Sequence, residues 1–348
     1  MNSEIEEQIE KKGPAKAVDW FTSGQRLGYD FSKKQIISAF TPNGNPNQLF
    51  IWNKVKDTTS HEGSPWLSMM PGFPDGSFGW VHTEEILSRQ APGPRLYLDY
   101  VGQGDSDKPE DYHYSTLERA DLVEALWRYH GVKSTMLVTF DYSSLVALEL
   151  LSRQIEKLDR AEAPETRIMG FLSVNGGLFA DGHTHPFMTT PLLKTPFGKM
   201  GARMAQNSYL VFNMMMKDLW SKDYGVTRAE LAQVHDAIGR RNGTVFMSNA
   251  ARFVDEHKSN AERWDLARIF KILHPEVDFL VAGSEQDQFE HRQVTLAAQR
   301  LGSLGLATKK LPGGHMTTSE HPELLVELIQ ELKSLNTYKN KTYADFSH

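Results

Sequence analysis

The sequence predicts an α/β protein, a mainly parallel sheet with helices on both faces, interrupted once by an all-helical insertion. Three observations carry that expectation. Short apolar, β-leaning runs alternate with helical patterns of roughly 10–15 residues, the rhythm of a parallel sheet joined by crossover helices. That rhythm stops over residues 178–268, where no strand signal occurs, and resumes at Val277. The stretch 137–151 passes from strand pattern to helix pattern with no loop between them, which demands a tight corner at Asp141.

In chain order, residues 1–20 read as a polar arm with room for one short helix. Residues 25–40 and 48–54 read as two strands, separated by Thr41-Pro42-Asn43-Gly44-Asn45-Pro46. Residues 66–70 form a short buried strand ending in the turn-rich Pro71-Gly72-Phe73-Pro74-Asp75-Gly76-Ser77. A helix over 78–89, a strand over 95–100 and a helix over 115–129 follow, the last with Ser115 as N-cap and Glu118 at the capping-box position. The strand 135–139, the helix 144–158 and the strand 167–174 complete the first half, which closes on Asn175-Gly176-Gly177. The strandless stretch is rich in Met and aromatic residues (Phe187, Met188, Met200, Met204, Tyr209, Phe212, Met214, Met215, Met216, Trp220). Ordinary helix packing explains most of these. A strand at 277–283, a helix at 293–301, a strand at 308–311 and an amphipathic helix at 321–335 finish the chain. This divides the sequence into an arm and first strand (1–45), a core (46–177 and 269–348) and a helical cap (178–268).

Composition narrows the function. The 348 residues are 40% hydrophobic and 24% charged, as in ordinary globular proteins. A net charge of -6 without a Lys/Arg cluster argues against a nucleic-acid partner. With no cysteine, disulfides, thiolate metal sites and a cysteine nucleophile are excluded. Neither a signal-peptide pattern nor an apolar run of about 18 residues is present, so no transmembrane segment is expected and the cytoplasm is the default location.

In a doubly wound sheet, functional side chains gather at the carboxyl ends of the strands. Asp141, Asp287 and His315 each follow a candidate strand, and nucleophile, acid, histidine is the chain order of an α/β-hydrolase triad. Taken singly, Asp141 and Asp287 also fit helix caps, and His315 a solvated loop histidine. Their coincidence in this order is what singles them out.

The motifs then show a resemblance. Pro71-Gly72-Phe73-Pro74-Asp75-Gly76-Ser77-Phe78-Gly79-Trp80 resembles the oxyanion segment of epoxide hydrolases, with Pro71 in place of a histidine. The stretch from Asp99 through Gly102-Gln103-Gly104-Asp105-Ser106-Asp107-Lys108-Pro109 is similar to a segment of the same superfamily. Phe140-Asp141-Tyr142-Ser143-Ser144 resembles the elbow of haloalkane dehalogenases and epoxide hydrolases, with Thr139 and Ser143 where glycines are usual. Asn175-Gly176-Gly177-Leu178-Phe179 and Arg240-Arg241-Asn242-Gly243 look most like the mesoderm-specific transcript protein branch. The resemblance implies an α/β-hydrolase fold, a mainly parallel eight-stranded sheet with an inserted cap.

It further implies a hydrolase that needs neither organic cofactor nor metal and acts through an ester on Asp141. An ionised carboxylate attacks an electrophilic carbon directly. His315 then activates water, Asp287 orients the imidazole, and the Phe73 and Tyr142 N–H groups receive the oxyanion. Tyr209, Phe253 and Asn175 are the expected substrate-binding residues, and the expected partners are a small hydrophobic substrate and water, with a homodimer left open. Epoxide-hydrolase-like chemistry is the first expectation. Haloalkane dehalogenase, lactone-type hydrolase and a non-catalytic ligand-binding homologue are the alternatives. Tyr142 and Phe73 make an incomplete halide clamp, and Phe253 stands where a second acid tyrosine belongs, unless Tyr224 or Tyr142 substitutes.

Overall fold

A computed structural model describes residues 14–38, 45–58, 63–110, 112–184, 195–246 and 253–345. Its centre is one sheet of nine strands: β1 (Gln25–Asp30), β2 (Gln35–Ile37), β3 (Gln48–Lys56), β4 (Trp66–Met70), β5 (Arg95–Leu98), β6 (Ser134–Phe140), β7 (Arg167–Val174), β8 (Asp278–Ser284) and β9 (Ala307–Leu311), in the order β2-β1-β3-β5-β4-β6-β7-β8-β9. The β1–β2, β1–β3 and β3–β5 pairs are antiparallel. From β5 through β4, β6, β7 and β8 to β9 the sheet is parallel. The central strands are buried along nearly their whole length, as strands covered on both faces must be.

The ninth strand corrects the expected count of eight. The run 25–40 breaks into a hairpin because the Asp30 carboxylate accepts the backbone N–H groups of Ser32 and Lys33, each at 3.1 Å, and folds the chain back. Lys34 takes a left-handed φ of 53° to complete the turn.

Twelve α-helices lie among the described residues: α1 (Ala17–Thr22), α2 (Val81–Gln90), α3 (Thr116–His130), α4 (Ser143–Asp159), α5 (Pro196–Asn207), α6 (Tyr209–Met216), α7 (Arg228–Gly239), α8 (Phe253–Ser259), α9 (Leu266–Leu273), α10 (Gln293–Leu301), α11 (Thr317–Glu320) and α12 (Pro322–Asp345). Ser115 does cap α3, its hydroxyl accepting the Glu118 N–H at 3.2 Å. The reciprocal half of the capping box is absent, because the Glu118 carboxylate takes the Tyr112 hydroxyl instead.

Helices α5 to α8 occupy the strandless interval between β7 and β8, and α9 returns to pack on α4. Phe212, Met216 and Trp220 pack inward, whereas Met200, Met204, Met214 and Met215 are exposed, so these four methionines do not serve helix packing. Phe187 and Met188 lie outside the described residues. The sheet therefore delivers the ends of β4, β5, β6, β7, β8 and β9 along one edge, with the inserted helices adjoining it.

Candidate functional site

The corner between β6 and α4 is built around Asp141. It follows the last residue of β6 and holds a left-handed φ of 52°, which is costly for a residue other than glycine and which aspartate tolerates better than most. The unusual neighbours of the elbow are tied into the core. Ser143 donates its hydroxyl to the Pro71 carbonyl. Thr139, Ser144 and Ser173 form a hydroxyl ladder, with Oγ–Oγ distances of 3.2 and 2.9 Å, and the Thr139 hydroxyl also donates to the Leu172 carbonyl. Gly176 is fixed by this ladder, since a Cβ there would overlap the Ser144 and Ser173 hydroxyls.

The five residues expected to act together are brought together. The Phe73 N–H donates to Asp141 Oδ2 at 3.0 Å, and the Tyr142 N–H also favours the ionised carboxylate. His315 Nε2 stands 3.9 Å from Asp141 Oδ1, and His315 Nδ1 lies 3.0 Å from Asp287 Oδ2. Asp287 retains a capping role as well, because its Oδ1 accepts the Phe289 N–H at 2.8 Å. His315 is 2% exposed, so the reading of a solvated histidine is excluded. Its ring is wedged between Phe140 and Phe289, with centroids 5.3 and 5.1 Å away.

Burial raises the Asp141 carboxyl to about 6, against the pull of His315 and of the Tyr142 and Phe73 N–H groups. Burial alone would lower His315. The Asp287, Asp141 and Asp75 carboxylates outweigh it and raise the imidazole to about 9.

The loop after β4 is held in place from below. Asp99, after β5, accepts the Ser77 N–H at 2.7 Å and the Asp105 N–H at 3.1 Å, while the Gln103 amide donates to the Gly72 carbonyl at 2.7 Å. Lys108 donates to the carbonyls of Gly104 and Arg240, and Arg240 pairs with Asp105 at 3.0 Å. Arg241 and Asn242 follow in left-handed conformations. The two sequence motifs therefore meet as one joint between core and insertion.

The substrate-binding expectations divide. Phe253 does reach the site, its ring 6.2 Å from Phe73 and 5.1 Å from Tyr142. Tyr209 is turned away, its hydroxyl donating to the Arg228 carbonyl at 2.6 Å and its ring packed on His235. Asn175 is 2% exposed, with its amide spent on the chain's own backbone and Thr317. The Tyr142 hydroxyl meets the Thr116 hydroxyl at 3.0 Å, and Thr116 in turn donates to Glu256 at 2.6 Å. Tyr224 donates to Glu230.

Two features were not legible in the sequence. Asp75 is buried with no hydrogen-bond partner on either oxygen among the described residues, and burial raises it to about 7. It sits in Pro74-Asp75-Gly76, which reads only as a turn. Glu290, His183 and His257 form a buried chain with 2.8 Å contacts on both sides of His183. These three residues lie far apart in sequence and share no motif. Among the described residues no cluster of His, Asp and Glu is arranged to hold a metal, and no helix is long and apolar enough to cross a membrane.

Comparison with known proteins agrees with this fold. The model of the "Alpha/beta hydrolase family" matches residues 69–328. Among curated proteins, the chain is 27% identical over 212 residues to the mesoderm-specific transcript homolog protein of Homo sapiens, covering 60% of this chain and 62% of that protein. It is 23% identical over 201 residues to the putative hydrolase LipZ of Mycobacterium tuberculosis, covering 58% and 66%. The chain thus spans less than two thirds of the length of the curated relatives it matches. Among solved structures, haloalkane dehalogenase DbeA from Bradyrhizobium elkani superimposes with a TM-score of 0.62 at 18% identity, covering 85% of this chain and 96% of that one. A thermophilic esterase from Thermogutta terrifontis gives 0.60 at 15% identity, covering 90% and 99%. At such identities the superpositions speak for the fold alone.

Proposed function

Because the chain belongs to the alpha/beta hydrolase family, we propose that it is a cofactor-independent hydrolase of small hydrophobic electrophiles that works through an ester on Asp141. The observation that carries this reading is the placement of the two Asp141 oxygens. Oδ2 already receives the Phe73 N–H at 3.0 Å, whereas Oδ1 faces His315 Nε2 at 3.9 Å. Attack by Oδ1 on a saturated carbon leaves Oδ2 as the ester carbonyl oxygen, seated at the donors that would stabilise its oxyanion.

Hydrolysis completes the cycle. Water attacks the Asp141 carbonyl carbon, His315 Nε2 takes its proton, and the alcohol departs with the ester oxygen. A histidine held near 9 is a poor base at neutral pH, but esterification removes the Asp141 charge, one of the groups that keeps its proton bound. Its hold on the proton weakens, the imidazolium releases that proton to solvent, and the neutral ring then takes one from the attacking water. Phe253, lying over Phe73 and Tyr142, supplies an apolar roof, in keeping with residues 178–268 acting as a cap.

Epoxide-hydrolase-like opening remains the first reading for the substrate. There the C–O bond breaks and the ring oxygen takes a proton, a role the hydroxyls of Tyr209, Tyr224 and Tyr142 fill only after leaving their present partners. Halide departure has less support, since the Phe73 ring carries no donor and the Tyr142 hydroxyl is engaged by Thr116. A lactone needs neither a halide clamp nor paired phenols, which keeps it as the second reading.

The test is a trap. The His315→Gln variant, offered a panel of epoxides, haloalkanes and lactones, is expected to accumulate a substrate-sized adduct that peptide mass spectrometry places on Asp141. The wild type is expected to turn the same compound over. Silence of both proteins across the panel would leave a ligand-binding homologue as the better account.

A further inference from the structure

We propose that Asn175 is a positioning residue that holds the Asp287 and His315 loops in register. The proposal rests on the reading of His315 as general base. The sequence suggested that this side chain faces substrate. The structure instead places it between the ends of two neighbouring strands. It follows β7, whose parallel partner β8 leads to Asp287, while β9 leads to His315.

Every hydrogen bond of its side chain goes to those two loops. Its carbonyl oxygen accepts the Ser284 N–H at 2.8 Å, three residues before Asp287. Its NH₂ group donates to the His315 carbonyl at 2.8 Å, to the Thr317 hydroxyl at 2.9 Å and to the Gly314 carbonyl at 3.3 Å. A planar amide with an acceptor at one end and donors at the other suits two backbones that offer an N–H and carbonyls; a carboxylate or a hydroxyl lacks that pairing.

The backbone of Asn175 supports the same placement. It takes a left-handed φ of 45°, a region asparagine occupies more readily than most residues, and this turns the chain away from the strand. One further tie joins the same loops, the Ser284 hydroxyl donating to the Gly313 carbonyl. The loop bearing His315 has its other anchor in the insertion, where the Leu219 carbonyl accepts the His315 N–H at 2.8 Å. Without the amide, the 3.0 Å contact between His315 Nδ1 and Asp287 Oδ2 loses its most direct brace on the core side.

The experiment reads that contact without any substrate, so its outcome is independent of which electrophile the enzyme takes, or of whether it takes one. With histidine-selective ¹⁵N labelling, the His315 Nδ1–H bonded to a carboxylate gives a downfield proton signal, and the ring titrates near its raised value of about 9. Asn175→Gly deletes the amide while leaving the left-handed backbone free of strain. Asn175→Asp keeps the shape and the acceptor but removes the donors. Both are expected to broaden or abolish the downfield signal, and Asn175→Gly, which adds no charge, to lower the His315 midpoint by about one unit or more, a tenfold weaker hold on the proton. Should either variant fail to fold, Thr317→Val removes one partner of the same amide, and a smaller downward shift is expected from the same readouts. A signal and midpoint held to within about 0.3 unit in the folded variants would overturn the proposal and leave Asn175 a loop staple.

Discussion

Three carboxylates act on His315, and each is held differently. Asp287 touches the ring, Asp141 faces it across 3.9 Å, and Asp75 acts through space from the loop after β4. Asp75 has the least support of the three, since neither of its oxygens finds a donor among the described residues, and burial raises it to about 7. Its charge therefore appears only as pH rises through neutrality, where it helps keep His315 protonated. Asp75→Asn removes that help, so the His315 midpoint is expected to fall from about 9 by a fraction of a unit. Below about pH 6 parent and variant should behave alike, because Asp75 is then neutral in both. Histidine-resolved NMR titration checks this, and an unchanged midpoint would remove Asp75 from the electrostatics of the site. The three expected site residues could be read from the sequence because each followed a strand and they came in a recognised order. Asp75 could not, because what distinguishes it is burial, and burial is decided by elements far along the chain. Asn175 was legible as a strand-end residue, but the direction its amide faces was not.

The elements followed their sequence signals where apolar pattern and local chemistry agreed. β4, β7 and α10 occupy the expected residues because an apolar run, bounded by turn residues or a polar face, leaves one solution. The hairpin of β1 and β2 escaped because its turn, Asp30-Phe31-Ser32-Lys33-Lys34, has no glycine, proline or asparagine; a single carboxylate makes it instead. At the elbow, Thr139 and Ser144 proved to form a connected ladder with Ser173, while Ser143 is tied to the Pro71 carbonyl. That ladder can be tested as a unit. Gly176→Ala pushes a methyl group into the Ser144 and Ser173 hydroxyls and should cost about 1–3 kcal/mol. Ser144→Gly removes one of the obstructing hydroxyls, so the double variant should be less destabilised than the sum of the singles by roughly 1 kcal/mol. Denaturant unfolding of the four proteins measures this, and strict additivity would show that the ladder does not set the packing of β7 against α4.

At the scale of the whole molecule, the insertion is fastened to the core at several places, among them Lys108 with Arg240, Thr116 with Glu256, His315 with the Leu219 carbonyl, and Glu290 through His183 to His257. The last of these is sensitive to protons. His257 is pushed down to about 3 by burial first and by the charge of His183 second, with Asp181 opposing them. Protonating it would bury a charged ring 2.8 Å from the His183 ring. An unfolded histidine titrates near 6.5, so the folded state binds this proton less well than the unfolded state does. The stability contributed by neutral His257 is therefore complete above pH 6.5 and declines as pH falls from there toward 3, by at most about 1.4 kcal/mol per unit. Glu290, His183 and Asp181 are charged or polar neighbours of this ring, so the useful quantity is a difference between two proteins. Relative to His257→Gln, the parent should hold its largest stability advantage near pH 7.5 and surrender up to about 2–3 kcal/mol of it by pH 4.5. Chemical denaturation of both proteins across that range tests the claim, and parallel curves would mean that His257 carries no proton-linked share of the hold between insertion and core. If the advantage does shrink, the hydrogen-exchange protection factors of α8 should fall over the same interval, because that helix carries both His257 and Phe253, which lies over Phe73 and Tyr142.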